Sequence, residues 1–319
     1  MKNENRHDMQ GLTESLLASY DREGGINHLQ GSSLPSRDAI IDIVRDIEAL
    51  LFPGFFRDES LSRANLRYLT GSRLVRVYES LVAEVRKNLL FDRAGTGNGA
   101  APQNGADDAN SDAALRAEAC DIVDYFFRSL PQLREVLSTD VDALLEGDPA
   151  ARSKEEIILS YPGLRAIAVH RVAHFLWMHG VRLIARMMTE YIHSRTGIDI
   201  HPGAQIGRFF HIDHGTGVVI GETTVIGEHV KIYQGVSLGA LSVRKELREE
   251  KRHPTIEDRV TIYAGATILG GETVIGHDAI IGGNVWLVKS VDPHAVVTSE
   301  PRINVLPASE RGKTWHYTI

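Results

Sequence analysis

The stretch GIDIHPGAQIGRFFHIDHGTG, residues 197–217, sets isoleucine at 200, 206 and 212, with Asp199, His201, His211, Asp213 and His214 around them. A six-residue spacing fits neither the 3.6-residue period of a helix nor the two-residue alternation of a long strand. It persists downstream. Ile220, Ile226, Ile232 and Leu238 form a second series, shifted by two residues; Ile256, Ile262, Ile268 and Val274 form a third, and Ile275, Ile281 and Leu287 a fourth. Leu238 and Ile256 stand eighteen residues apart, so the phase survives the segment between them. The period is explained by a short strand, a turn and another strand, each sending one aliphatic toward a common axis. Three such faces close one coil of a parallel β-solenoid. The competing architecture, a sandwich of alternating strands, would show period two and less regular turns. The glycine that follows the aliphatic is read as the residue that permits the tight corner.

Upstream the texture is helical. Ile40, Ile41, Ile43, Val44, Ile47 and Leu51 recur at helical spacing before Pro53 and Gly54. Further helical patterns run over about 61–90, 114–129, 132–146 and 164–194. Residues 1–35 are polar with EGG and GSS breaks and are expected to be poorly ordered. RAGTGNGAAPQNGADDANSDA, 93–113, holds no aliphatic larger than alanine and reads as a flexible loop, because it cannot bury enough surface to offset its ordering entropy. The expected organisation is α+β: a helical domain over 36–196, a solenoid over 197–295 and a tail over 296–319. The charged segment GALSVRKELREEKRHPT, 239–255, leaves the solenoid as a loop and rejoins it at Arg252 and His253.

Composition narrows the class. A chain of 319 residues, 43% hydrophobic and 24% charged, can build a large core or two domains. Its net charge of -7 argues against broad nucleic-acid binding, although it leaves room for a local basic pocket. A single cysteine, Cys120, allows no intrachain disulfide and fits a reducing compartment. The N-terminus lacks the apolar core of a signal peptide, and the apolar segment 163–188 is broken by arginines and histidines, so neither export nor a membrane span is expected. The expected location is cytoplasmic.

Asp199 and His214 are fifteen residues apart, close to one coil of eighteen, which places them on neighbouring coils. A carboxylate behind an imidazole fixes its tautomer and stabilises the cation formed on protonation, as a general base needs. Spacing alone leaves a structural and a catalytic pairing equally open.

DIHPGAQIG followed by DHGTGVVIGET, then RHP and AGATILGG, resembles the serine acetyltransferases of the hexapeptide-repeat superfamily. The likeness extends upstream through GDPAARSKEEIILSYPGLRAIAVHRVAHFLW, 147–177, and covers about 113–290. It implies left-handed coils, an exception to the usual right-handed crossover. It further implies acetyl transfer from acetyl-CoA to L-serine, with no metal and no covalent intermediate. His214 is then the base and Asp199 its orienting acid. Asp148 and Asp213 meet the serine ammonium, Arg252 offers a planar fork to the carboxylate, and His253 lies beside it. Acetyl-CoA is expected along a groove between adjacent solenoids, lined by Ala264, Gly265, Gly282 and Gly283, with Lys289 toward its phosphates. Asn284 and Trp286 depart from the family pattern there. The resemblance also implies a homotrimer or a dimer of trimers, feedback inhibition by L-cysteine, and a C-terminal Ile319 that enters O-acetylserine sulfhydrylase.

The rivals are another hexapeptide-repeat acyltransferase and a zinc hydratase on the same solenoid, for which His201, His211, His214 and His229 supply the histidine count. The residues themselves make His201 a structural corner residue, and give His193, His211 and His229 no role.

Overall fold

A computed structural model of the chain describes residues 9–29, 34–56, 61–93, 107–241 and 250–299. Helices precede strands throughout: α1 (Met9–Arg22), α2 (Arg37–Leu51), α3 (Leu66–Arg93), α4 (Asp107–Gly147), α5 (Lys154–Ser160), α6 (Pro162–Met178) and α7 (Arg182–Thr196). Among the described residues fourteen strands of two or three residues follow: β1 (Asp199–Ile200), β2 (Gln205–Ile206), β3 (His211–Ile212), β4 (Val219–Ile220), β5 (Val225–Ile226), β6 (Lys231–Ile232), β7 (Ser237–Gly239), β8 (Thr255–Ile256), β9 (Thr261–Ile262), β10 (Thr267–Leu269), β11 (Val274–Ile275), β12 (Ile280–Ile281), β13 (Trp286–Leu287) and β14 (Val296–Val297). No helix among the described residues is long and apolar enough to cross a membrane.

The strands stack as three parallel sheets: sheet I is β1-β4-β7-β10-β13, sheet II β2-β5-β8-β11 and sheet III β3-β6-β9-β12-β14. This is the left-handed parallel β-helix of the expectation. Its register reproduces the hexads. Ile200 pairs with Ile220, Ile220 with Leu238, and Leu238 with Ile268 in sheet I. Ile206, Ile226, Ile256 and Ile275 align in sheet II, and Ile212, Ile232, Ile262 and Ile281 in sheet III. All but the half-buried Ile206 are fully buried inside the prism. Each full burial is worth about 1.5–3 kcal/mol, so a one-residue slip, which would turn a strand's aliphatic outward, is strongly disfavoured.

The glycines after the aliphatics serve a different purpose from the one expected. Gly207 and Gly227 do not adopt positive φ; a Cβ on Gly207 would lie 2.5 Å from the Gly227 carbonyl oxygen, so glycine is required by the close approach of the next coil. The left-handed corner residues come two positions later, at Phe209 and His229.

The helical region caps the first coil. α7 packs on β1, and α4 and α6 pack on β3 (His211–Ile212). A buried ion pair fastens the two regions: Arg171 donates from Nε and Nη2 to Asp140 (2.7 and 2.8 Å) and also to the carbonyls of Ile206 and Gly207. Asp140 in turn accepts from the backbone N–H of Phe210 at 3.0 Å. Gly197, at φ 70, ends α7 by donating to the His193 carbonyl, which turns the chain into β1.

Several boundaries differ from expectation. Residues 9–22 are helical, carrying Met9, Leu12, Leu16 and Tyr20 on one exposed stripe. The patterns at 114–129 and 132–146 are one helix that passes through Pro131. The segment 164–194 breaks at Gly180, whose φ of 82 a helix does not adopt. α4 begins inside the expected loop 93–113, of which 94–106 lie outside the described residues, as do 242–249 of the charged loop. β14 pairs with β12 and carries the solenoid past 295.

Candidate active site

Three edges join the three sheets, and the polar residues are distributed unequally among them. The edge from sheet III to sheet I carries the two-residue shift in the hexad count: eight residues separate Ile212 from Ile220. The extra length forms a turn in which His214, Gly215 and Gly217 all have positive φ (57°, 81° and 82°). The shift in the repeat therefore marks a bulge, and His214 is mounted on it with its side chain 68% exposed. Asp213 accepts from the His214 backbone N–H at 2.8 Å, and its Oδ1 lies 3.7 Å from His214 Nδ1.

Asp148, just past the end of α4, faces the same bulge. Its Oδ2 accepts from the Tyr161 hydroxyl at 2.5 Å and its Oδ1 from the Ala150 backbone N–H at 2.8 Å. These bonds hold the Asp148 carboxyl below the usual carboxylate range, the tyrosine bond most strongly, with smaller attractions to His211 and His214. The same bond pushes Tyr161 up to about 12. Two carboxylates and an exposed imidazole thus meet at one corner, an arrangement suited to an ammonium group beside a proton acceptor.

Further along this edge, at about 4.8 Å per coil, come Gly235, then Ala264 and Gly265, then Gly282 and Gly283. The expected cosubstrate residues therefore rise in line from His214. The backbone is laddered there: Gly235 N–H donates to Thr216 O, Gly265 N–H to Gln234 O and Asn284 N–H to Ala264 O.

The edge from sheet I to sheet II holds a second cluster. Arg252 and His253 rejoin the coil there, and both backbone N–H groups donate to Thr223 Oγ1 (2.9 and 3.0 Å). The Arg252 guanidinium pairs with Glu222. Thr223 N–H donates to His253 Nδ1 at 3.1 Å, and Gly203 N–H to His201 Nδ1 at 3.0 Å. Burial first, then neighbouring arginines, pull both imidazoles down to about 4, so they are neutral acceptors. A Cβ on Gly221 would fall 2.0 Å from the His253 ring, so this seat requires glycine. Lys289 lies on this edge as well, away from Gly282 and Gly283, and is exposed.

Within one chain, then, Asp148, Asp213 and His214 occupy one edge of the prism and Arg252 and His253 another. Asp199 lies between them on the outer side of sheet I, half-buried and opposite Val219. Among the described residues no hydrogen bond or ion pair joins Asp199 to His214. Ile319 lies outside the described residues. The four histidines of the zinc rival are scattered: His201 and His214 sit on different edges, His211 is under α4, and His229 stacks on Phe209 at 4.1 Å on the third edge. The His277, Asp278 and His294 group on that third edge includes none of them. Sequence reading missed Tyr161, which aims Asp148, and Glu222, which holds Arg252; neither carries a spacing that announces its partner.

A parallel β-helix with an exposed histidine on a bulged corner, under a helical cap, is the architecture of a hexapeptide-repeat acyltransferase. No family model matches the chain. The plasmid serine acetyltransferase of Synechococcus elongatus is 45% identical over 263 residues, covering 81% of this chain and 79% of that protein. Serine acetyltransferase isoform 3 of Entamoeba histolytica, solved in complex with cysteine, has a TM-score of 0.68 at 32% identity over 93% of this chain and 95% of that one. A serine acetyltransferase solved in complex with CoA has a TM-score of 0.50 at 27% identity, covering 81% and 95%. The chain belongs to the serine acetyltransferase family.

Proposed function

We propose that the protein transfers the acetyl group of acetyl-CoA to the hydroxyl of L-serine, giving O-acetyl-L-serine and CoA. The observation that carries this reading is the division of the polar residues between two edges. A zwitterionic amino acid needs anions at its ammonium end and a guanidinium at its carboxylate end, and the two edges supply one each. They form one site only if the bulged edge of one protomer faces the Arg252 edge of the next, as cyclic association allows. A homotrimer, alone or paired, is the assembly this predicts. Arg252 pairs with Glu222 in the single chain, and its planar fork is the group suited to the substrate carboxylate.

In the reaction the serine hydroxyl attacks the thioester carbonyl while His214 takes its proton; backbone N–H groups stabilise the tetrahedral oxyanion. The intermediate collapses with release of the CoA thiolate, and His214 returns the proton to it. Asp199, with no partner on His214 in the single chain, orients the base only once the site is assembled. The pantetheine arm runs up the glycine edge past Gly265 and Gly283, and Lys289 of an adjacent protomer meets a phosphate. L-Cysteine fits the same amino-acid site and acts as a competitive inhibitor. The single thiol agrees with a cytoplasmic location, and Ile319 is the residue that enters O-acetylserine sulfhydrylase.

Thiol release from acetyl-CoA with a panel of hydroxyl acceptors tests the reaction: serine is expected to be the preferred acceptor, and equal turnover of sugars would defeat the assignment. Mixing His214→Ala and Arg252→Ala protomers after dissociation tests the divided site. Activity above either parent is expected, and none would place both residues in one chain's site.

A further inference from the structure

His211 is a histidine of the opening stretch for which the reaction has no use, yet it is fully buried at the corner that carries Asp213 and His214. It points outward from β3, opposite the inward Ile212, and the end of α4 covers it. Its Nδ1 donates to the Ala143 carbonyl at 3.0 Å. A Cβ on Gly147 would lie 2.2 Å from that nitrogen and 2.3 Å from Cε1, so the backbone rests directly on the ring. Asp148 is the next residue. On the other side, His211 is two residues from Asp213 and three from His214, on a strand fixed by the bonds His211 N–H to Val230 O and Asp213 N–H to Ile232 O (both 3.0 Å). One side chain therefore spans the join between the helical element that carries Asp148 and the coil that carries the base.

The chemistry of the ring shows that it is more than filling. With Nδ1 donating, the neutral ring leaves Nε2 as a bare acceptor, and Nε2 is buried without a partner among the described residues. Burial also lowers its pKa, which favours that neutral form. An unpaired buried acceptor costs roughly 1–3 kcal/mol. A site needing only packing would be served better by leucine, methionine or phenylalanine. What histidine adds is the Nδ1–H bond to the last turn of α4.

We propose that His211 is a positioning residue: its bond to Ala143 and its seat beneath Gly147 set where Asp148 stands relative to Asp213 and His214, and hence how the substrate ammonium is held. The proposal rests on the reading of this corner as the serine-ammonium site.

The test compares His211→Leu, His211→Asn and His211→Gln. Asparagine places an N–H near the Nδ1 position, whereas glutamine places one near Nε2. Two readouts are taken on the full chain: the KM and kcat for each substrate, and amide hydrogen exchange over residues 148–152. Loss of one neutral hydrogen bond should raise the serine KM of the leucine and glutamine variants about three- to tenfold. Their acetyl-CoA KM and kcat should stay near the parent values, and exchange at Ala150 and Ala151 should quicken. The asparagine variant should restore both readouts. If leucine folds poorly, the asparagine–glutamine contrast alone decides. The proposal is overturned if exchange does not change, if exchange quickens with the serine KM unmoved, or if both KM values rise together. Failure of the parent protein to acetylate serine would instead remove the reaction, and the exchange comparison would still show whether His211 anchors the loop.

Discussion

Two edges of the same prism solve one backbone problem differently. On the edge from sheet II to sheet III, each coil turns through a left-handed residue that has a side chain: Phe209, His229, Arg259, Asp278 and His294, at φ 56–60°. Those side chains occupy one another. Phe209 stacks on His229, Arg259 clamps Asp278 through two 2.8 Å bonds, and Asp278 also accepts from His277 Nδ1 at 2.8 Å. On the edge from sheet III to sheet I, the same left-handed positions are Gly217, Gly235 and Gly265, and only the last described coil has Asn284. A left-handed residue with a Cβ costs about 1–2 kcal/mol, which glycine avoids. The first edge offsets that cost with side-chain contacts; the second avoids it with glycine at three of the four stacked positions. Contact-making corners hold the solenoid together, and glycine corners stack backbone on backbone beside His214.

The largest expected effect is at the bulge. His214→Ala should lower kcat about 10²–10⁴-fold, the range of a general base, with little change in thermal unfolding; near-parental turnover would remove His214 from the chemistry. Next comes the edge from sheet I to sheet II. Arg252→Ala should raise the serine KM about tenfold or more, the loss of a charge-assisted pair, and leave the acetyl-CoA KM nearly unchanged. A larger shift in the acetyl-CoA KM would move Arg252 to the cosubstrate site.

The two kinds of corner can be set against each other directly. Gly265→Ala forces a Cβ into φ 73° and to within 2.3 Å of Asn284 Oδ1. It should cost about 1–2 kcal/mol of stability and raise the acetyl-CoA KM. Arg259→Gly relieves the backbone but loses the exposed ion pair, so its net effect in denaturant melts should be small, with kinetics unchanged. Equal kinetic effects from both substitutions would end the distinction between the edges.

The smallest effect is on pH dependence. His201 and His253 are held at about 4, against an ordinary 6.5. Above pH 6.5 neither state binds the proton and the rings contribute nothing to the slope. As pH falls from 6.5 toward 4, the unfolded chain takes up protons that the folded chain refuses, so stability falls. Melting temperature should decline across that window, and His253→Asn should flatten the decline. An unchanged slope would place the titration elsewhere.

The hexad series determined the solenoid, because burial of one aliphatic per face leaves a single register that keeps all of them inside; the sheets follow Ile200 to Leu287 residue by residue. The shift of two before Ile220 was equally visible, and it is the bulge that carries His214. Motif resemblance picked out Asp148, Asp213, Arg252 and His253, and it named Ala264, Gly265, Gly282 and Gly283, which the fold sets along one edge. Tertiary structure alone decided how these residues are grouped. Their separation along the chain does not say which edge of a three-sided coil each falls on, so the placement of Arg252 and His214 on different edges could not be read from spacing. Nor could the hold of Tyr161 on Asp148, which ties the end of α4 to the start of α6, or the burial of His211 beneath Gly147, where α4 docks on the first coil. That contact joins residues more than sixty positions apart, and no local period encodes it.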